Sequence, residues 1–299
     1  MVTGATNGVG EAVARQLAAG GLTVTLVGRS DQRLAAARER ITAAVPGAGL
    51  VLERADLAEL DQVRDLTCRL LAGPAPEVVV SNAALVAPPE RLTSDGLPRV
   101  LAVNHLAPYL LLRTLAERLD RARMVVVCSD PVSLAPEAVD LGDLTFARPE
   151  RLGEPAGLRP YYAYARTKNM NVMFVNALAR RLTGSSITVN GCHPGMVPGT
   201  GLVSEVPEVT AFIRQALQDG RLPPPSGWPA PAPREDDGRT PADRGADTPV
   251  WLAVSPVAAG ANGRFYVDRV PVRTAPHTTD VARCERLWHA TAALVGLPG

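Results

Sequence analysis

The sequence predicts a doubly wound α/β fold, one mostly parallel sheet with helices on both faces, and three observations carry that expectation. Short apolar, Val-rich runs alternate with helix-periodic stretches along the 299 residues, the rhythm that parallel strands joined by crossover helices require. A glycine-rich turn stands directly after the first of these runs. With 46% hydrophobic residues, the chain can bury one large core, so a single domain over 1–299 is expected.

The first strand is confined to Met1, Val2 and Thr3, short against the roughly five or six residues of a buried strand. Either the chain starts upstream of Met1 or that edge is loosely built. A helix over Gly10–Ala19 follows, with Val13 and Leu17 four apart on one face. Further strands are predicted at Leu22–Gly28, Leu50–Arg54, Glu77–Ser81, Arg123–Ser129, Ser186–Cys192 and Arg264–Val267. Helices are predicted at Asp31–Ala44, Glu59–Ala72, Gly96–Leu119, Tyr161–Leu182, Pro241–Val254 and Asp280–Leu294. Residues 221–241 break the rhythm with seven prolines and an Arg-Glu-Asp-Asp cluster, a composition that belongs to a loop.

Charge and cysteine usage narrow the function classes. A net charge of +1 gives no electrostatic case for a nucleic-acid or anionic-membrane partner. Cys68, Cys128, Cys192 and Cys284 are widely spaced, with no zinc-like cluster, so no metal is expected and all four read as buried thiols of a reducing cytoplasm. No signal peptide or membrane-spanning run stands out. Richness in Ala, Arg, Gly and Pro associates the chain with a GC-rich bacterial genome.

Of 31 basic residues all but one are arginine, and the single lysine, Lys168, sits four residues after Tyr164. Residues four apart share a helix face, so an ammonium can act near a phenol there. That ammonium favours phenolate and lowers the Tyr164 pKa from about 10 toward working pH, which suits a general acid/base. Tyr161 and Tyr162 are rivals, but four residues on they meet Ala165 and Arg166. Upstream, Thr3-Gly4-Ala5-Thr6-Asn7-Gly8-Val9-Gly10 permits a tight turn and close approach of a pyrophosphate to backbone at a helix start.

Together, Thr-Gly-x-x-x-Gly-x-Gly at 3–10 and Tyr-x-x-x-Lys at 164–168 resemble the short-chain dehydrogenase/reductase family. Asp56-Leu57, Ser81-Asn82-Ala83-Ala84, Asn104 in Val-Asn-His-Leu, Ser129 and His193-Pro194-Gly195 fall in the family's order. The pattern is most similar to the retinol-dehydrogenase and protochlorophyllide-reductase-like branch. The resemblance implies a Rossmann-type fold with Ser129, Tyr164, Lys168 and Asn104 as the catalytic set. Ser129 holds the substrate oxygen, with Ser133 its rival. Lys168 also binds the nicotinamide ribose, and Asn104 kinks its helix and positions a water linking Lys168 to solvent. It implies cofactor contacts from Gly4, Thr6, Asn7, Gly8, Val9, Gly10, Asp56, Leu57, Asn82 and Ala83, and from Pro194, Gly195, Val197 and Thr200 beyond the fifth crossover. Ala84 departs from the family's usual glycine. Arg29, directly after Gly28, stands where an acid would select NAD; its guanidinium favours the 2′-phosphate of NADP(H). His105 and His193 read as structural.

The expected activity is NADP(H)-dependent hydride transfer between a carbonyl and its alcohol on a lipophilic small molecule in the cytoplasm. Non-redox chemistry on the same scaffold (dehydration, epimerisation, cyclisation) is the alternative, and a regulatory protein without turnover is a third. A substrate lid is expected at 196–240, with Val206, Val209, Phe212, Ile213, Ala216 and Leu217 on one apolar face and a mobile stretch at 223–237. A homodimer is expected through the helices at 96–119 and 161–182.

Overall fold

Two residues suffice for strand β1 (Val2–Thr3) because strands on both sides hold it. Val2 registers with Leu26 of β2 (Val24–Gly28) and with Val80 of β4 (Val78–Ser81). The computed structural model describes residues 1–129, 138–219 and 238–299, so Ser133 and the stretch 223–237 lie outside the described residues. With β3 (Leu50–Arg54), β5 (Arg121–Val127), β6 (Ser186–His193), β7 (Phe265–Val267) and β8 (Val270–Val272), the strands form one eight-stranded sheet. Its order is β3-β2-β1-β4-β5-β6-β7-β8. All pairs are parallel except β7–β8. The order reverses beside β1, and in open α/β sheets such a switch point is where a crevice opens at the carboxyl ends of the strands.

The helices cover both faces. On one side α1 (Gly8–Ala19) and α2 (Asp31–Ala44) bury Val13, Leu17, Leu34 and Ile41 against Leu26 and Val125. On the other, α3 (Leu60–Ala72) and two longer helices bury Leu66, Leu112 and Phe174 against Met124 and Val126. The first longer helix starts as α4 (Arg99–Leu101), passes through a π turn at Ala102–Leu106 and continues as α5 (Ala107–Ala116). The second is α6 (Arg159–Arg181). The predicted helix at Gly96 starts three residues late, because Thr93–Leu97 closes a turn instead.

The predicted helix Pro241–Val254 is two, α8 (Pro241–Gly245) and α9 (Asp247–Val254), with α7 (Pro207–Gln218) preceding them. Strand β8 was not expected: it is three residues long with Pro271 at its centre, which an edge strand tolerates. Its turn uses Asp268 and Arg269 at φ +47° and +64°, so the Asn-Gly type of hairpin signal is missing.

After α10 (Pro276–Thr279), the C-terminal helix α11 (Val281–Leu294) packs across α5 and α6. Trp288 stacks on Phe174 (6.0 Å between ring centres) and meets Tyr109 edge-on. Arg113 and Arg181 lie over the Trp288 ring at 4.8 and 3.9 Å. The faces of α5 and α6 carrying Tyr109 and Phe174 are thus occupied by the chain's own helix. The expectation of four buried thiols needs correction: Cys68 is exposed on α3, while Cys128, Cys192 and Cys284 are buried. Among the described residues, no helix is long and apolar enough to cross a membrane.

Candidate active site

The glycine turn folds so tightly that side chains could not share it. Gly4 and Gly8 take φ +65° and +56°, values that favour glycine. A Cβ on Gly10 would lie 2.3 Å from the Gly4 carbonyl and 2.4 Å from Asn82 Nδ2. Asn82 ties the end of β4 to this turn, its Nδ2 donating to the Thr3 carbonyl at 3.0 Å. Thr3 Oγ1 accepts from the amides of Asn82 and Ala83 at 3.0 and 3.1 Å. Asn7 caps α1 by accepting from Gly8 N. What results is a helix start with no bulky side chain over its first amides, a cradle that fits a pyrophosphate.

The adenosine end of such a ligand would meet β2. Thr6 packs on Gly28, where a Cβ would come within 2.8 Å of Thr6 Cγ2. The next residue, Arg29, is exposed and has no hydrogen bond or ion pair to another described residue. Asp56 accepts from Ala58 N, and the Leu57 side chain is packed in the core; any ligand contact Leu57 makes is therefore through its backbone. Opposite, the segment after β6 turns at Gly195 (φ +76°) and brings Thr200 onto α1, where a Cβ on Gly8 would sit 2.9 Å from Thr200 Cγ2. Val197 and the Pro194 carbonyl meet Val9 of α1 around Gly245. The residues present thus fit a dinucleotide.

Three proposed catalytic side chains meet between β5 and α6. Ser129, two residues past β5, is hydrogen-bonded to the Tyr164 hydroxyl. Lys168 Nζ donates to the Val127 carbonyl at 2.9 Å and lies over the Tyr164 ring, 5.6 Å from its centre. Both side chains are buried. Here the electrostatic expectation is reversed. Burial pushes the Tyr164 phenol up to about 12, with the Ser129 hydrogen bond pulling the other way. Burial likewise pushes the Lys168 ammonium down to about 8, against the opposing pull of the Cys128 and Cys192 thiols. Both groups are buried, and their neighbours do not offset the cost of holding either charge there. Tyr164 is therefore a protonated acid at ordinary pH.

Asn104 is fully buried in the π turn. Its side chain bonds both backbone groups of Leu85 at 2.9 Å and donates to Thr167 Oγ1 at 3.1 Å. Pro108 follows four residues later, so the Asn104 carbonyl has no α-helical N–H to receive, and the ring crowds that carbonyl. A π bulge is one outcome of such crowding, and π bulges frequently mark functional sites. The Pro108 spacing was legible in the sequence and would have predicted the irregular turn. His105 is buried and bonded to Asn171 and Thr291, in keeping with a structural role. Tyr161 and Tyr162 meet other rings, Tyr161 facing Phe212 of α7 at 5.6 Å.

Several supports of the site were not anticipated. Arg40 donates to the Thr6 carbonyl at 3.1 Å and pairs with Glu11, fixing the glycine turn from α2. Asp243, in the capping box of α8, pairs with Arg15 on α1. That docking seats Gly245 where a Cβ would clash with Val197 at 2.8 Å and Val9 at 3.0 Å. Glu205 bridges Arg91 and Arg99, and Val86 N donates to the Leu202 carbonyl at 2.9 Å. These contacts fasten the segment before α7 to the loop after β4. Of the predicted apolar face, Val206, Val209 and Ala216 are buried and Phe212 and Ile213 pack against the core.

Comparison with known proteins agrees with this architecture. A family model described as short chain dehydrogenase matches residues 1–135. "Putative daunorubicin C-13 ketoreductase DnrU" of Streptomyces sp. (strain C5) is 34% identical over 301 residues, covering 99% of this chain and 92% of that protein. Human retinol dehydrogenase 14 is 30% identical over 315 residues, covering 99% and 86%. A solved structure from Beutenbergia cavernae is titled a "putative NAD(P) dependent gluconate 5-dehydrogenase" with bound NADP at low occupancy. It superposes with a TM-score of 0.64 at 26% identity, covering 88% of this chain and 92% of that one. The chain is a member of the short-chain dehydrogenase/reductase family, in its retinol-dehydrogenase-like branch, and an oxidoreductase by that kinship.

Proposed function

We propose that the protein reduces a ketone or aldehyde of a lipophilic small molecule with NADPH. The observation that carries this reading is the buried meeting of Ser129, Tyr164 and Lys168 at the end of β5, beside the glycine cradle. When bound, the nicotinamide supplies the hydride. Tyr164 Oη donates its proton to the substrate oxygen, and a phenol held protonated suits that direction. Ser129 Oγ hydrogen-bonds the same oxygen and stabilises charge developing there. Lys168 holds the nicotinamide ribose, stabilises the phenolate that forms and gives up the proton that restores the phenol. Asn104 positions the water through which Lys168 regains a proton.

The preference for NADPH is supported by Arg29, exposed beyond the β2 end, and the bound NADP named for the Beutenbergia structure points the same way. A lipophilic substrate is supported by the Tyr161–Phe212 contact, which brings the apolar face of α7 to the helix that carries Tyr164; of the expected lid, 196–219 and 238–240 are described residues, and 196–219 serves as its substrate-facing part. A ketone is supported by the Streptomyces relative, which is named a C-13 ketoreductase.

A panel of apolar ketones and aldehydes with NADPH tests the reading. Loss of nicotinamide absorbance should match product formed mole for mole; product formed with NADPH unconsumed would instead mean non-redox chemistry. Arg29→Asp is expected to weaken NADPH binding by about 10- to 100-fold, the worth of a charge-assisted pair, and to improve NADH use. Dissociation constants for the two nucleotides check it, and no change in either would remove Arg29 from the site.

A further inference from the structure

The π turn releases a main-chain carbonyl, and a chain made of its own His105 with one side chain from each of two other helices takes hold of it. Asn171 Nδ2 donates to the Asn104 carbonyl at 2.8 Å. A carbonyl only accepts, so the amide nitrogen must face it and Asn171 Oδ1 must face away. His105 Nδ1 lies 3.1 Å from that oxygen and therefore carries its proton. The other ring nitrogen, Nε2, is then an acceptor, and Thr291 Oγ1, at 3.0 Å, donates to it. All four residues are buried. Every proton in the chain is placed by the end that cannot donate: Thr291 to His105, His105 to Asn171, Asn171 to Asn104. Burial, which holds the imidazole neutral, agrees with this arrangement, and aligned bonds of this kind polarise one another.

We propose that Asn171, His105 and Thr291 are positioning residues for the reaction, holding the Asn104 carbonyl from helix α11 through α6. A carbonyl has two lone pairs; Asn171 takes one and leaves one for the water that serves Lys168. The inference rests on the proposed role of Asn104. Thr291 bonds neither the crevice nor the Ser129–Tyr164–Lys168 cluster, yet its hydroxyl supplies the donor that His105 Nε2 requires.

The test compares Thr291→Val, close in shape but without a hydroxyl, with Thr291→Ser, which keeps it. Thr291→Val is expected to lower kcat by about tenfold, as small misplacements remote from the chemistry can, with both KM values unchanged, and Thr291→Ser to restore kcat. A wild-type kcat in Thr291→Val, or equal losses in the two variants, would overturn the proposal. Nitrogen NMR of the histidines, made without turnover, reads the chain directly: His105 should be the neutral Nδ1–H tautomer. An Nε2–H tautomer would overturn it. Should the unaltered protein oxidise no NADPH with any ketone, the proposed function fails, and the tautomer alone then decides whether the chain stands.

Discussion

Tyr164→Phe is expected to fold, to bind NADPH as the unaltered protein does, and to lose turnover by about 10²–10⁴-fold, the usual worth of a positioned general acid. The ring keeps its packing, since the substitution removes one oxygen from a buried side chain. Ser129 loses its partner and turns toward the substrate oxygen, but a serine hydroxyl cannot stand in as the acid. Nucleotide binding by fluorescence and single-turnover rates separate the two effects. Turnover near the wild-type rate would show that the proton comes from elsewhere.

Lys168→Met is expected to lose turnover comparably and, unlike Tyr164→Phe, to gain stability. Burial lowers the Lys168 pKa from an ordinary 10.5 to about 8, which corresponds to roughly 3 kcal/mol spent on holding the ammonium in the fold at neutral pH. An apolar side chain of similar length escapes that cost. Between about pH 8 and 10.5 the unfolded chain binds the Lys168 proton and the folded chain does not, so this group makes stability rise with pH there. The buried thiols oppose it above their ordinary value of 9: Cys128 is pushed up to about 12 and Cys192 well upward, both by burial. Their contribution is present below pH 9 and lost above it. The Lys168 signature is therefore the difference between the unfolding curves of the two proteins, largest below pH 8 and vanishing toward 10.5. Urea titrations at several pH values measure it; a variant less stable at pH 7 would refute the assignment of strain to Lys168. Turnover in the reductive direction should fall as pH rises through about 8, because Lys168 then loses its charge.

The fold was legible wherever a strand or helix carries its own periodicity. Strands β2 to β7 and the seven predicted helical regions follow from apolar spacing, with boundaries within three residues. The two-residue β1 and three-residue β8 are held by neighbours, and no local pattern encodes that. The split between α8 and α9 comes from the docking of Asp243 on Arg15 and the seating of Gly245, which are long-range contacts. In the site, motif spacing singled out Ser129, Tyr164 and Lys168, which lie side by side. The direction of the pKa shifts was missed because spacing reports neighbours and not the exclusion of water. The support from α11 was missed because Thr291 lies 186 residues from His105.

That separation has a consequence for how the molecule comes into being. A contact between residues so far apart can form only after most of the chain has found its place, and long-range closure of this kind slows folding. The π turn belongs to the middle of the sequence, yet its last hydrogen bond waits for one of the final helices. A nascent or truncated chain can pair its first strands and build the glycine cradle while the proton path is still unset. The cradle is in this sense older, in the life of each molecule, than the proton path.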